Sequence, residues 1–195
     1  MKQEVEIEFK NLLSYAEFIS VKAHFKIKDE DFVEQRNYYF DTLEFSLAKH
    51  KSALRIREKK AEYELTLKQP HANGLLETNI PVPKHEAISF IRKNEFPKSA
   101  IEMKRIFAEI GLDSNELTYL GELVTYRCEF EYKNGLLALD HSVYLDVEDY
   151  EIEYEVKDKQ RGHHSFTQLL QQLNISKKST KNKIKRFFDK KRQTM

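Results

Sequence analysis

Glu6, Glu8 and Lys10 occupy every second position near the start of the chain, with Ile7 and Phe9 between them. In a strand, residues i, i+2 and i+4 share one face, so this segment sets carboxylates and an ammonium on one side and apolar groups on the other. The pattern recurs. Arg55 and Arg57 alternate with Leu54 and Ile56; Glu64, Thr66 and Lys68 alternate with Leu65 and Leu67. Arg127, Glu129 and Glu131 alternate with Cys128 and Phe130, and Glu151, Glu153 and Glu155 with Ile152 and Tyr154. An open antiparallel sheet with one wetted face accounts for any one of these strands. Across the set the signs segregate, with Glu on two strands and Arg on another, whereas cross-strand surface pairing would mix them. A closed barrel with its apolar side turned out and a charged lumen accounts for the whole set.

A lumen of both signs needs a ligand that satisfies both. Arginine and lysine match phosphate oxygens, arginine often with two parallel hydrogen bonds. Carboxylates hold hard cations such as Mg²⁺ or Mn²⁺, which bridge to phosphate oxygens. Without a cation, clustered glutamates repel and raise one another's pKa. Acidic and basic strands together therefore point to a metal–polyphosphate complex.

The elements that must position these groups follow from periodicity and punctuation. Residues 3–9 alternate as a strand, and further strands are expected near 35–40, 53–59, 62–68, 75–82 and across 117–156. Residues 14–25 are expected to be helical, with Ser14 as N-cap and Glu17 closing a capping box. Helices are predicted over 84–93 and 98–110, divided by Pro97 and stopped by Gly111. Lys133-Asn134-Gly135 predicts a hairpin, with Asn-Gly supplying the positive φ values. Residues 163–173 predict a helix with Leu169, Leu170 and Leu173 on one side, and residues 177–192 a basic helix whose Phe187 and Phe188 pack on the barrel. Two strand-rich parts flanking a helical middle suggest one domain over residues 1–195.

The bulk properties agree. At 195 residues the chain can bury its own core. A net charge of +1 argues against a nucleic-acid clamp. The single cysteine, Cys128, cannot form an internal disulfide, which fits a reducing cytoplasm, and its place on an apolar face suits a small filler. No apolar run reaches spanning length, and Met1 leads into charges rather than a signal peptide. His163 and His164 are adjacent at a helix start and diverge, so they are expected to be solvated rather than a metal pair.

Glu6-x-Glu8-x-Lys10 resembles the E-x-E-x-K signature of the CYTH superfamily, also called triphosphate tunnel metalloenzymes. Further elements follow in that family's order: Tyr39-Phe40-Asp41-Thr42, Leu54-Arg55-Ile56-Arg57, Leu65-Thr66-Leu67-Lys68, Arg127 with Glu129, Glu151-Ile152-Glu153, and a basic C-terminal segment. The likeness spans nearly the whole chain and is similar in look to small bacterial single-domain members of the YjbK-like kind. It implies an α+β fold: an eight-stranded antiparallel closed β-barrel, a tunnel open at both ends, with helices packed outside. The resemblance implies Glu6, Glu8, Glu151 and Glu153 as ligands of Mg²⁺ or Mn²⁺. It implies Lys10, Arg55, Arg57, Lys68 and Arg127 as triphosphate-binding residues. Asn182-Lys183-Ile184-Lys185-Arg186 matches the family's Ser-Lys-x-x-Arg with Asn for Ser, adding Lys183 and Arg186, with Lys181 as a second register. Glu4 and Glu155 offer second registers for the acidic pairs. Leu75 stands where many members carry an arginine two residues before the glutamate placed at Glu77.

The implied activity is metal-dependent hydrolysis of a terminal phosphoanhydride in an inorganic or organic triphosphate. Lys10 would neutralise charge on the transferring phosphoryl group, and Glu129 would orient the attacking water. The same barrel could serve a class IV-type adenylyl cyclase. An alternative of a different class is a non-catalytic binder of polyphosphate or a nucleotide, which could dispense with some of the four glutamates. The expected partner is a small triphosphate-containing molecule; membrane and nucleic acid are not expected, and a homodimer is left open.

Overall fold

The computed structural model describes residues 1–194. Eight strands form a closed antiparallel barrel in the order β1-β5-β4-β3-β2-β6-β7-β8. They are β1 (Lys2–Leu13), β2 (Val33–Asp41), β3 (Ala53–Lys59), β4 (Glu62–His71), β5 (Gly74–Pro81), β6 (Thr118–Tyr132), β7 (Gly135–Tyr144) and β8 (Val147–Val156). The helices are α1 (Tyr15–Phe25), α2 (Ser46–Lys49), α3 (Lys84–Lys93), α4 (Met103–Glu109), α5 (Lys159–Gln172) and α6 (Lys183–Thr194). The expected eight-stranded barrel and α+β class are thus what the chain adopts. Among the described residues, no helix is long and apolar enough to cross a membrane.

The described chain divides into two compact units, residues 1–5 with 35–123, and residues 6–34 with 124–194. In the first, Leu54, Ile56, Leu65, Leu67 and Ile80 form a core with Phe90 of α3 and Met103 and Phe107 of α4. Phe40 of β2 lies flat on Phe90, with ring centroids 3.9 Å apart. In the second, Leu137, Leu139, Ile152 and Tyr154 pack against Phe18 and Val21 of α1 and Phe166, Leu169 and Leu170 of α5. Helices therefore cover the apolar face of these strands. Because side chains alternate between faces, closure of the sheet turns the charged positions inward.

Local chemistry explains the boundaries. Ser14 Oγ accepts the Glu17 amide while the Glu17 carboxylate accepts the Ser14 amide, the expected capping box. α3 spans the predicted residues. The second predicted helix, 98–110, is instead a 3₁₀ turn (Lys98–Ala100) followed by the short α4. Ser99 donates both its amide and its hydroxyl to Glu86 of α3, which ties that turn down and prevents a continuous helix.

The β6–β7 hairpin forms at the expected place, but the residue that carries its positive φ differs. Tyr132 pairs with Gly135, so Lys133 and Asn134 alone make the loop, and the positive φ falls on Lys133 at 50°. Gly135 begins β7. A Cβ there would meet the backbone oxygen of Glu155 at 2.4 Å, so the glycine permits close strand approach rather than a left-handed turn.

Finally, α6 starts at Lys183 rather than 177. Asn11, fully buried on β1, donates to the Ser176 carbonyl at 3.1 Å and accepts the Lys178 amide at 2.6 Å. Thr180 accepts the Leu12 amide at 3.1 Å. These bonds hold residues 176–180 beside the strand, where a helix would forfeit them.

Candidate active site

The inner face of the second unit is built from two neighbouring rows. In one, Arg127, Asp140 and Glu151 stand opposite one another on β6, β7 and β8. In the next, Glu153 of β8 stands between Ala138 of β7 and Lys10 of β1. Asp140 is 0%, Glu151 1% and Glu153 6% exposed. Buried carboxylates this close together need cations to offset their lost hydration and mutual repulsion.

Arg127 supplies one such cation as a fork. Its Nε donates to Asp140 Oδ1 at 2.7 Å and its Nη2 to Asp140 Oδ2 at 2.5 Å, a two-pronged geometry open to arginine alone. Nη2 also bonds Glu153, and Nη1 reaches Glu129 at 3.4 Å. The other cations come from α6. Lys183 Nζ lies 2.6 Å from Asp140, 2.9 Å from Glu151 and 2.5 Å from Glu153. One turn on, Arg186 donates to Asp149 at 2.9 Å and to Glu151 at 2.7 Å. Positions 183 and 186 share a helix face, while Phe187 and Phe188 are buried, Phe187 6.1 Å from the ring of Tyr144.

The titration of these groups follows from the arrangement. Burial would lower the Lys10 pKa, yet Glu8, Glu153 and Glu151 outweigh it and hold the ammonium above its ordinary value. Lys183 is raised in the same way, its burial offset by Asp140, Glu153 and Glu151. Burial opposes ionisation of Glu153, but Lys183, Arg127 and Lys10 hold its carboxyl well below the usual carboxylate range. Arg127 and Arg186 are raised against burial by their carboxylate partners. All these groups are therefore charged at neutral pH.

In the first unit, the inner face carries Arg55 and Arg57 of β3 and Lys68 of β4. Arg57 Nε donates to Asn37 Oδ1 at 3.1 Å. Lys68 is ion-paired with Glu77, its directly opposed neighbour on β5. Arg55 stands opposite Thr66, and Thr66 opposite Asn79.

Of the residues expected from sequence, Glu8, Lys10, Arg127, Glu151, Glu153, Lys183 and Arg186 come together in one charged cluster of the second unit. Glu6 is half-buried two positions before Glu8 on the same face, and Glu129 is exposed at the edge of the Arg127 group. Arg55, Arg57 and Lys68 belong to the first unit. The second registers separate clearly: Lys181 pairs with Asp189 in solvent and Glu4 pairs with Lys2, both exposed, and Glu155 is exposed. His163 packs edge-on to Phe9 at 5.7 Å. Burial, with Asp31 and Glu129 nearby, raises the Cys128 thiol, consistent with its reading as a filler.

Sequence reasoning missed Asp140, on which Arg127 and Lys183 converge, and Asp149, a partner of Arg186. The signal for Asp140 was available: it is the single acid in the otherwise apolar stretch 136–140, on the face shared with the small Ala138 and Ser142.

Whether this donor set suits a hard cation can be tested on its geometry. Asp140, Glu151 and Glu153 all direct carboxylate oxygens at the Lys183 ammonium, which takes the place of a cation among hard oxygen donors. Among the described residues, no three His, Cys, Asp or Glu groups stand in an arrangement that would hold a metal directly; lysine and arginine engage these carboxylates instead. Oxygen donors of this kind suit a hard divalent cation, and Lys183 is the group that would have to give way to it.

Comparison with known proteins bears on this cluster. The CYTH domain family model matches residues 4–188. A protein of Bacillus subtilis (strain 168), provisionally named triphosphatase YjbK, is 42% identical over 195 residues, covering all of both chains. A crystal structure from Bacillus halodurans, provisionally named an adenylate cyclase, is 42% identical, with a TM-score of 0.91 over 96% of this chain and 100% of that one. HpAC1 from Hippeastrum, provisionally named an adenylyl cyclase and described as having a dominant triphosphatase activity, is 25% identical. Its TM-score is 0.79, over 95% of this chain and 96% of that one.

Proposed function

The chain belongs to the CYTH domain family, and from that premise we propose that it hydrolyses the terminal phosphoanhydride of a triphosphate with the help of a divalent cation. The observation that carries this reading is the convergence of Arg127, Lys183 and Arg186 with three buried carboxylates, Asp140, Glu151 and Glu153, on one inner face. Cations alone would suit a plain anion binder. Carboxylates among them suit an anion that arrives with its own metal. The name of the Bacillus subtilis relative and the dominant activity described for the Hippeastrum protein support the same reading.

Phosphoryl transfer depends mainly on positioning and on neutralising charge. In this reading Arg55, Arg57, Lys68, Arg127, Lys183 and Arg186 bind the phosphate chain, and Lys10 neutralises charge on the transferring phosphoryl group. Glu129 orients the attacking water. Glu6, Glu8, Glu151 and Glu153 would hold Mg²⁺ or Mn²⁺, with Asp140 as an added donor; when bound, the cation supplies charge neutralisation and a more acidic water. Lys183, no longer held by three carboxylates, would turn its charge to the phosphates.

The test is orthophosphate release by the purified protein from tripolyphosphate, thiamine triphosphate and ATP, each with Mg²⁺ and with Mn²⁺. Metal-dependent release from at least one substrate is expected, lost on addition of a chelator. Tight binding of every substrate without turnover would make the protein a binder instead. The name of the Bacillus halodurans structure favours a second reading, a cyclase; cyclic AMP and pyrophosphate from ATP, without orthophosphate, would establish it.

A further inference from the structure

On the inner face of the first unit, Arg55, Thr66 and Asn79 are directly opposed on β3, β4 and β5. Opposed residues have Cβ atoms about 5 Å apart, so the three side chains make one transverse row. Each carries a buried polar atom without a hydrogen-bond partner: Arg55 Nε, Thr66 Oγ1 and Asn79 Oδ1. Thr66 is 0% and Asn79 8% exposed. The neighbouring row differs, for there Lys68 meets Glu77. Buried polar groups in native proteins are nearly always paired, and an orphan costs stability. Three orphans in register on adjacent strands mark a place that a ligand completes.

We infer that Thr66 and Asn79 are further substrate-binding residues, which with Arg55 form a subsite for one phosphoryl group. The inference rests on the reading of the barrel as a triphosphate site. Arg55 Nε–H and the Thr66 hydroxyl donate to phosphoryl oxygens. A half-turn of the Asn79 amide brings Nδ2 to the position of Oδ1, so this group donates as well. One donor carries charge and two are neutral: Arg55 provides attraction, while Thr66 and Asn79 fix the orientation of a tetrahedral anion. Being uncharged, the latter two are invisible to any search for charge patterns.

Thr66→Val keeps the side-chain shape and removes the hydroxyl. By calorimetry with Mg²⁺ present, it should bind tripolyphosphate about tenfold more weakly than wild type, with a matching rise in KM and a smaller change in kcat. Its Tm should rise by about 2–4 °C, because an orphaned hydroxyl has gone. Thr66→Ser should restore affinity. Asn79→Asp, which sets a carboxylate against the phosphate, should weaken binding more than tenfold. Wild-type affinity in Thr66→Val or Asn79→Asp would overturn the inference, as would a Thr66→Val protein that melts lower and is not rescued by serine. A wild type that neither binds nor cleaves any triphosphate would overturn the earlier reading, a result distinct from normal turnover with unaffected variants.

Discussion

Lys183 is the residue on which the cluster turns. Its ammonium meets Asp140, Glu151 and Glu153, which without it would be three buried carboxylates left to Arg127, Arg186 and Lys10. Removing one partner of a buried ion pair costs far more than the pair contributes, because the remaining charge loses both water and partner. Lys183→Met should therefore lower stability by about 3–5 kcal/mol in the absence of divalent metal. A cation that binds the folded state alone adds stability by mass action. Millimolar Mg²⁺ should thus recover part of the lost Tm in the variant and shift the wild type less. Calorimetric melts with and without Mg²⁺ check both parts. A variant melting like wild type would show that the carboxylates do not depend on Lys183.

At the scale of elements, the stretch Tyr39-Phe40-Asp41-Thr42 shows how a functional-looking motif can do structural work. Asp41 ends β2, and its carboxylate accepts the amides of Thr42 and Leu47 at 2.8 Å and of Ala48 at 3.0 Å. Thr42 adds a hydroxyl acceptor for the Ser46 amide at 3.0 Å. Together they satisfy the open N-terminal amides of α2, a helix too short to persist alone. Burial raises the Asp41 pKa despite the amides of Leu47, Ala48 and Thr42, so the carboxylate is held for its bonds and not for easy ionisation. Asp41→Ala should cost about 2–3 kcal/mol, read as a lower urea midpoint at unchanged m-value. A loss below about 0.5 kcal/mol would mean that water replaces the carboxylate at α2.

For the whole molecule, closure is the governing constraint. β1 comes first in the chain yet lies between β5 and β8 in the barrel. Its seven-residue register with β8, from Ile7–Val156 to Leu13–Tyr150, joins segments far apart in sequence. Such contacts form only after a large loop-closure cost. A protein lacking residues 1–13 would expose the edges of β5 and β8, and unpaired edges invite association between chains. That truncation should elute as aggregate and show no cooperative melt, whereas a soluble monomer with a sharp transition would show that the remaining strands close without β1.

Sequence alone determined the alternation that sets Glu8, Lys10, Arg55, Arg57, Arg127, Glu151 and Glu153 on polar strand faces, since strand geometry makes position i+2 share a face whatever the fold. It also determined the Ser14–Glu17 cap and helix α3, both local in origin. Tertiary structure decided which charges meet. That Asp140 sits between Arg127 and Glu151, that α6 delivers Lys183 rather than Lys181, and that Thr66 and Asn79 align with Arg55 depend on register between distant or neighbouring strands. Shifting any register by one residue would reverse the faces while leaving the sequence pattern untouched. The roles of neutral residues such as Asn11, Gly135 and Thr66 were hidden for a related reason: hydrogen-bond partners and close approaches are properties of the assembled barrel.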